Sequence, residues 1–173
     1  MPARYALAHR RAREFLAQAK ITEPPVPVED MAQLAGAMLV YESLSGPLSG
    51  MVQRRSDGTA VIGINKDHSK TRRRFTIAHE IGNILLHAEE QLHVDERYPF
   101  ALRDDRSSLA IDAREIEANQ FAAALLMPEQ FLRADVLERL AQDSEEETAA
   151  LARRYGVSAH AIAIRLSVLH LVG

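Results

Sequence analysis

His79, Glu80 and Asn83 sit within five residues of the run Arg74 to His87, whose apolar residues recur at helical spacing. An imidazole binds a divalent metal through a ring nitrogen, and a carboxylate beside it can take a proton from metal-bound water. Residues four apart on a helix share one face, about one turn and roughly 6 Å apart. In the pattern His-Glu-x-x-His, two imidazoles therefore reach a single zinc. Here the second position holds Asn83, whose amide oxygen is neutral and a poorer zinc donor than imidazole. His87 is no replacement. It lies about 12 Å along the axis from His79 and is rotated by about 80°, whereas two donors on one zinc must approach within about 4 Å. On these five residues alone, a buried helix with one satisfied histidine and one solvated glutamate is an equally good reading.

A second group of polar residues lies between Glu115 and Pro128. Glu115 and Asn119 are four apart and share a helix face. Ala118, Ala122 and Leu125 form an apolar stripe with Phe121 beside it, so this helix packs against a neighbour. A carboxylate on such a helix is the third ligand that a His-His-Glu zinc site uses. Asn119 would then orient a histidine ligand through its other ring nitrogen. The plainer alternative is that Glu115 and Glu117 only favour a helix N-terminus, where carboxylates are stabilising.

Taken together, the runs Arg74–His87 and Glu115–Pro128 resemble the ImmA/IrrE family of metallo-endopeptidases. Three further features carry the same resemblance. One is the link Pro24-Pro25-Val26-Pro27-Val28 between an opening helix and a short second one. Another is Leu48-Ser49-Gly50 in a strand pair. The third is Leu151 to Ser158, followed by Arg165-Leu166.

The resemblance implies a zincin-like α+β domain and zinc as cofactor. It assigns His79 as first ligand, Glu80 as general base and Glu115 as third ligand, with Glu117 the second choice for that last role. Asn83 stands where the second histidine ligand belongs, so the expected metal set is His79, Asn83 and Glu115. Zinc binding is then expected to be weak or absent, and catalysis impaired. The implied partner is a protein, a helix-turn-helix repressor or antitoxin of a phage-like or toxin–antitoxin pair. The alternative is a non-catalytic pseudo-peptidase that only grips that partner.

Several elements must position these residues. Arg4 to Lys20 reads as a helix, ended by Pro24, Pro25 and Pro27. Val28 to Ala35 reads as a short helix closed by Gly36. Met38 to Ser43, Gly50 to Arg55 and Thr59 to Asn65 carry strand signals, and Ser56-Asp57-Gly58 is a hairpin turn. These predict a small antiparallel three-stranded sheet. The strand Thr59 to Asn65 is expected beside the site, where an extended substrate could add to it. A helix from Ser69 to His87 follows. The charged stretch 88–111 reads as a long surface loop, within which His93 and Tyr98 are candidate oxyanion donors. The C-terminal half is helical: Asp112 to Met127, Glu129 to Gln142, Glu145 to Tyr155 and Ser158 to Leu169.

The 173 residues fit one domain spanning 1–173, long enough to bury a core without staples. With no cysteine, thiolate metal sites and disulfides are excluded. No run approaches a membrane span and the start is unlike a signal peptide, so a soluble cytoplasmic protein is expected, with no membrane contact. A net charge of −3 argues against a general nucleic-acid binder. The basic group Lys66, Lys70 and Arg72 to Arg74 reads as a solvated helix face rather than a phosphate patch. Leu151 to Leu169 has the cadence of a helix-turn-helix. Its reader positions, however, offer Ala159, His160, Ala161 and Ala163, with Arg165 the sole credible DNA contact. Two packing helices are therefore the expectation.

Overall fold

The computed structural model describes residues 3–45, 48–88, 92–95, 113–139 and 145–171. In chain order the elements are α1 (Tyr5–Gln18), α2 (Val28–Leu34), β1 (Ala37–Glu42), β2 (Gly50–Arg54) and β3 (Ala60–Asn65). They are followed by α3 (Lys70–Leu86), β4 (Leu92–Asp95), α4 (Ala113–Leu126), α5 (Glu129–Arg139), α6 (Glu145–Tyr155) and α7 (Ala159–Val168). The α+β class and the helical C-terminal half agree with the sequence reading.

The sheet differs from the expectation in two ways. It has four strands in the order β1-β3-β2-β4, and β1 runs parallel to β3. β2 and β3 form the expected antiparallel hairpin, with Gly50 opposite Ile64 and Arg54 opposite Ala60. Its turn is held by Asp57, whose side-chain oxygen accepts from the Thr59 amide at 2.9 Å, and by Gly58 at φ +86°. The direction of β1 follows from what happens after Glu42. The chain crosses the end of β3 before entering β2 on its far side, and Asn65 ties that crossing down. Its side-chain amide donates to the carbonyls of Leu48 (3.0 Å) and Leu44 (3.3 Å). The fourth strand, β4, pairs antiparallel with β2 and arises from the stretch expected to be loop.

One consequence corrects a functional expectation. β3 is paired on both sides, so no extended substrate can add to it; the outer strands are β1 and β4.

α3 is the centre of the domain. Every residue from Arg74 to Ile84 is buried, which marks a helix packed on all sides. One side meets the sheet through Ile62 and Ile64, and another meets α4 through Phe121, Ala122 and Leu125, all in one core. Burying a side chain such as Phe121 or Ile81 contributes about 1.5–3 kcal/mol. Gly82 sets how near α3 and α4 come: a Cβ there would stand 3.1 Å from the Phe121 ring and 3.2 Å from the Ala118 Cα. Ser69 caps the start of α3, accepting from the Arg72 amide. At its other end Arg54 of β2 donates to the carbonyl of Ile84 (2.8 Å) and to that of Asn83 (3.3 Å), which also accepts from the His87 amide at 3.0 Å.

Three members of the basic group, Arg72, Arg73 and Arg74 in the first turns of α3, have structural partners. Arg74 is buried and donates to the carbonyls of Val26 (2.8 Å) and Gly156 (3.0 Å), joining the proline link to the α6–α7 turn. Arg72 donates to the Ser49 hydroxyl at 2.8 Å. Arg73 donates to the Lys66 carbonyl and lies 6.0 Å from the centre of the Tyr41 ring. Among the described residues no helix is long and apolar enough to cross a membrane.

Candidate metal centre

Close packing of α3 on α4 brings the two polar groups of the sequence together. His79 Nδ1 lies 2.9 Å from Asn119 Oδ1. An amide oxygen only accepts, so this bond places the proton on Nδ1 and leaves Nε2 as the metal-binding lone pair. Nε2 points at Glu115, whose Oε2 is 3.6 Å away. Two donors on a tetrahedral zinc stand about 3.4 Å apart when each bond is near 2.1 Å. His79 and Glu115 thus meet that requirement without rearrangement.

Glu80 and Asn83 complete the group. His79, Glu80 and Asn83 have exposures of 2 %, 0 % and 2 %. Asn83 Nδ2 donates to Glu80 Oε2 at 3.2 Å. Its other polar atom, Oδ1, is buried without a hydrogen-bond partner among the described residues. Leaving such an oxygen dry normally costs about 1–3 kcal/mol, so the corner at Asn83 is polar and unsatisfied.

Against zinc, this donor set is one imidazole short. Among the described residues no group of three or more histidine, cysteine, aspartate or glutamate side chains is arranged to hold a metal ion. The single amide oxygen of Asn83 does not make up the deficit, because it brings neither charge nor the basicity of imidazole. The residues present do not form a three-ligand zinc site.

The sequence singled out His79, Glu80, Asn83, Glu115 and Asn119, and the fold gathers all five. It does not bring Glu117 or His87 to them. Glu117 accepts from the Arg4 backbone amide at 2.7 Å and from the Arg4 guanidinium at 3.0 and 2.9 Å. Those bonds hold its carboxyl below the ordinary glutamate range, with His87 adding a smaller effect. His87 Nε2 lies 3.7 Å from the same carboxylate. Glu117 is therefore a clasp for the N-terminal segment. Tyr98 lies outside the described residues, as does the side chain of His93.

Gly50 was not anticipated. It opens β2 directly against α3, where a Cβ would overlap the Thr76 methyl and lie 3.6 Å from Glu80 Oε1. Only a residue without a side chain fits there, so the β2 backbone packs directly on α3 beside the Glu80 carboxylate. Its sequence signal was Leu48-Ser49-Gly50 in the strand pair, which by itself points to no site.

The IrrE N-terminal-like domain of the M78 peptidases matches residues 32–167. This chain belongs to that family. Its members are zinc metallopeptidases in type, and the matched segment contains α3, α4 and every residue of the centre. No curated protein matches the sequence. Among solved structures, a Mycobacterium tuberculosis transcriptional regulator has the same fold, with a TM-score of 0.59 at 20 % identity. The match covers 92 % of this chain and 46 % of the regulator, so the chain spans about half the length of that protein.

Proposed function

We propose that this IrrE-like protein keeps the peptidase fold as a means of gripping a helix-turn-helix repressor or antitoxin-like protein, with hydrolysis impaired at Asn83. The observation that carries the reading is the bond from Asn83 Nδ2 to Glu80 Oε2. One substitution has two effects. It withholds an imidazole from the metal, and it commits an oxygen of the general-base candidate to an amide proton. Each effect alone lowers activity; losing one partner of a metal ligand already costs about 10- to 100-fold, and a ligand itself matters more.

The likeness to a transcriptional regulator supports a setting in gene control only through a shared fold. A DNA-reading role for α6 and α7 is disfavoured. Arg165, the one credible DNA contact of that segment, is 5 % exposed and donates to the Met127 carbonyl.

The experiment is incubation of the native chain and of Asn83→His, each with excess zinc, with a helix-turn-helix repressor encoded beside it. The native chain should form a complex and leave the repressor intact, and Asn83→His should cut it. Equal cleavage by both would sink the impairment. Neither complex nor cleavage with either protein would sink the partner.

A further inference from the structure

A cleft of about 440 Å³ opens between α1, the α4–α5 corner and α7. It shares no residue with the metal centre. Its polar lining is His9 and Arg13 from α1, Glu129 and Arg133 from α5, and Arg165 from α7. His9 and Arg13 are four apart, as are Glu129 and Arg133, so each helix turns one charged face to the space.

The charge is unbalanced. Glu129 is taken by Arg133, with Oε1 2.7 Å from Nη2 and 2.8 Å from Nε. Arg165 is buried and its Nε donates to the Met127 carbonyl at 3.2 Å. Among the described residues, no carboxylate lies within ion-pair distance of Arg165 or Arg13. Burying a guanidinium is costly unless its donors are met: Arg74 donates to three carbonyls, whereas Arg165 donates to one, through Nε alone, and borders the cleft. Burial also pulls the pKa of Arg165 down, with Glu129 opposing it, and pulls that of His9 down, where the Gln120 bond and Glu129 oppose burial and Arg165 and Arg13 add to it.

We propose that this cleft binds a small molecule carrying an oxyanion, phosphate or carboxylate, held by Arg13 and Arg165 with Arg133 at the rim. The guanidinium fork matches both anions with paired hydrogen bonds, and two forks from different helices define a clamp. The volume falls in the range of small-molecule pockets, roughly 300–1,000 Å³. Ala6, Ala124 and Pro128 supply an apolar wall for the uncharged part of the ligand. His9, fixed by a 3.0 Å bond to Gln120 Oε1, sits at the same wall and reports on occupancy.

The test is titration of the full chain with inorganic phosphate and, separately, with succinate, with chloride at equal ionic strength as reference. The readouts are the His9 ring resonances and calorimetry. Saturable binding of one or both anions is expected, with the preferred anion naming the ligand class. Arg13→Gln should weaken it by roughly tenfold, the value of one charge-assisted contact, and Arg165→Gln should weaken it further. If Arg165→Gln does not fold, Arg13→Gln decides alone, since Arg13 is exposed and its loss leaves the core intact. The proposal is overturned if neither anion saturates beyond the chloride effect, or if Arg13→Gln binds as tightly as the native chain.

Discussion

Asn83 donates an amide hydrogen to Glu80 across 3.2 Å, so the carboxylate that follows His79 in sequence is engaged from within its own helix. Both side chains are buried, and the bond sits between two helical neighbours rather than across elements. The two residues are three apart on α3, so position 83 is a local place to change the site.

Asn83→His should convert the domain into a zinc protein. His79 Nε2 and Glu115 Oε2 already stand 3.6 Å apart, and a histidine at 83 supplies the third donor one turn from the first. After dialysis, elemental analysis should find about one zinc per chain in the variant and little in the native protein. At free zinc a hundredfold above Kd the variant gains about 2.7 kcal/mol, or roughly 5–10 °C in Tm for a domain of this size. Tight zinc in the native chain would reveal a ligand other than those named. No metal in the variant would end the zinc reading of α3.

The two glutamates of α4 should separate in that background. Glu115→Ala removes a metal donor, so the zinc-dependent gain in Tm should vanish while the apo protein stays near its original stability. Glu117→Ala should keep the zinc gain but lower the baseline by about 1 kcal/mol, because the buried carboxylate anchors Arg4 while the Arg4 side chain is half exposed. The reverse pattern would make Glu117 the ligand.

Much of this centre was legible because its information is local. His79 with Glu80, and Glu115 with Asn119, are pairs within a helical turn, and both helices are apolar enough to be read as buried. The pairing of Asn119 with His79 followed from chemistry alone. What escaped was non-local. Nothing near Glu117 indicates that its partner is Arg4, 113 residues away. The direction of β1 depends on how Asn65 ties the crossing segment, which no strand pattern encodes. β4 covers only four residues, Leu-His-Val-Asp, too few for alternation to separate strand from loop.

Acid should expose the Arg4 clasp. Arg4 holds the folded-state pKa of Glu117 below 4.5, the ordinary value. The folded protein therefore favours the ionised carboxyl. Its contribution is complete above pH 4.5 and disappears as pH falls through the lower folded value. Urea unfolding of the native chain should show stability falling with acid in that window, and Glu117→Gln should flatten the fall. An equal slope in both proteins would assign it to other carboxylates.

Gly82→Ala pits two effects of known sign against each other. Alanine inside a helix is favoured over glycine by about 1 kcal/mol. Against this, the new methyl would lie 3.2 Å from the Ala118 Cα and 3.3 Å from its carbonyl oxygen. Those are backbone atoms of a packed helix and cannot rotate aside. Overpacking of this kind costs about 1–3 kcal/mol, so a net loss of about 1 kcal/mol is expected in denaturant melts. Relief must come from α4 moving outward, and α4 carries both Glu115 and Asn119. In the Asn83→His background the same change should therefore weaken zinc at least tenfold, the lower end of the loss from disturbing a ligand's support. Unchanged zinc affinity with reduced stability would mean that the helices part elsewhere and that Gly82 does not set the spacing of the site.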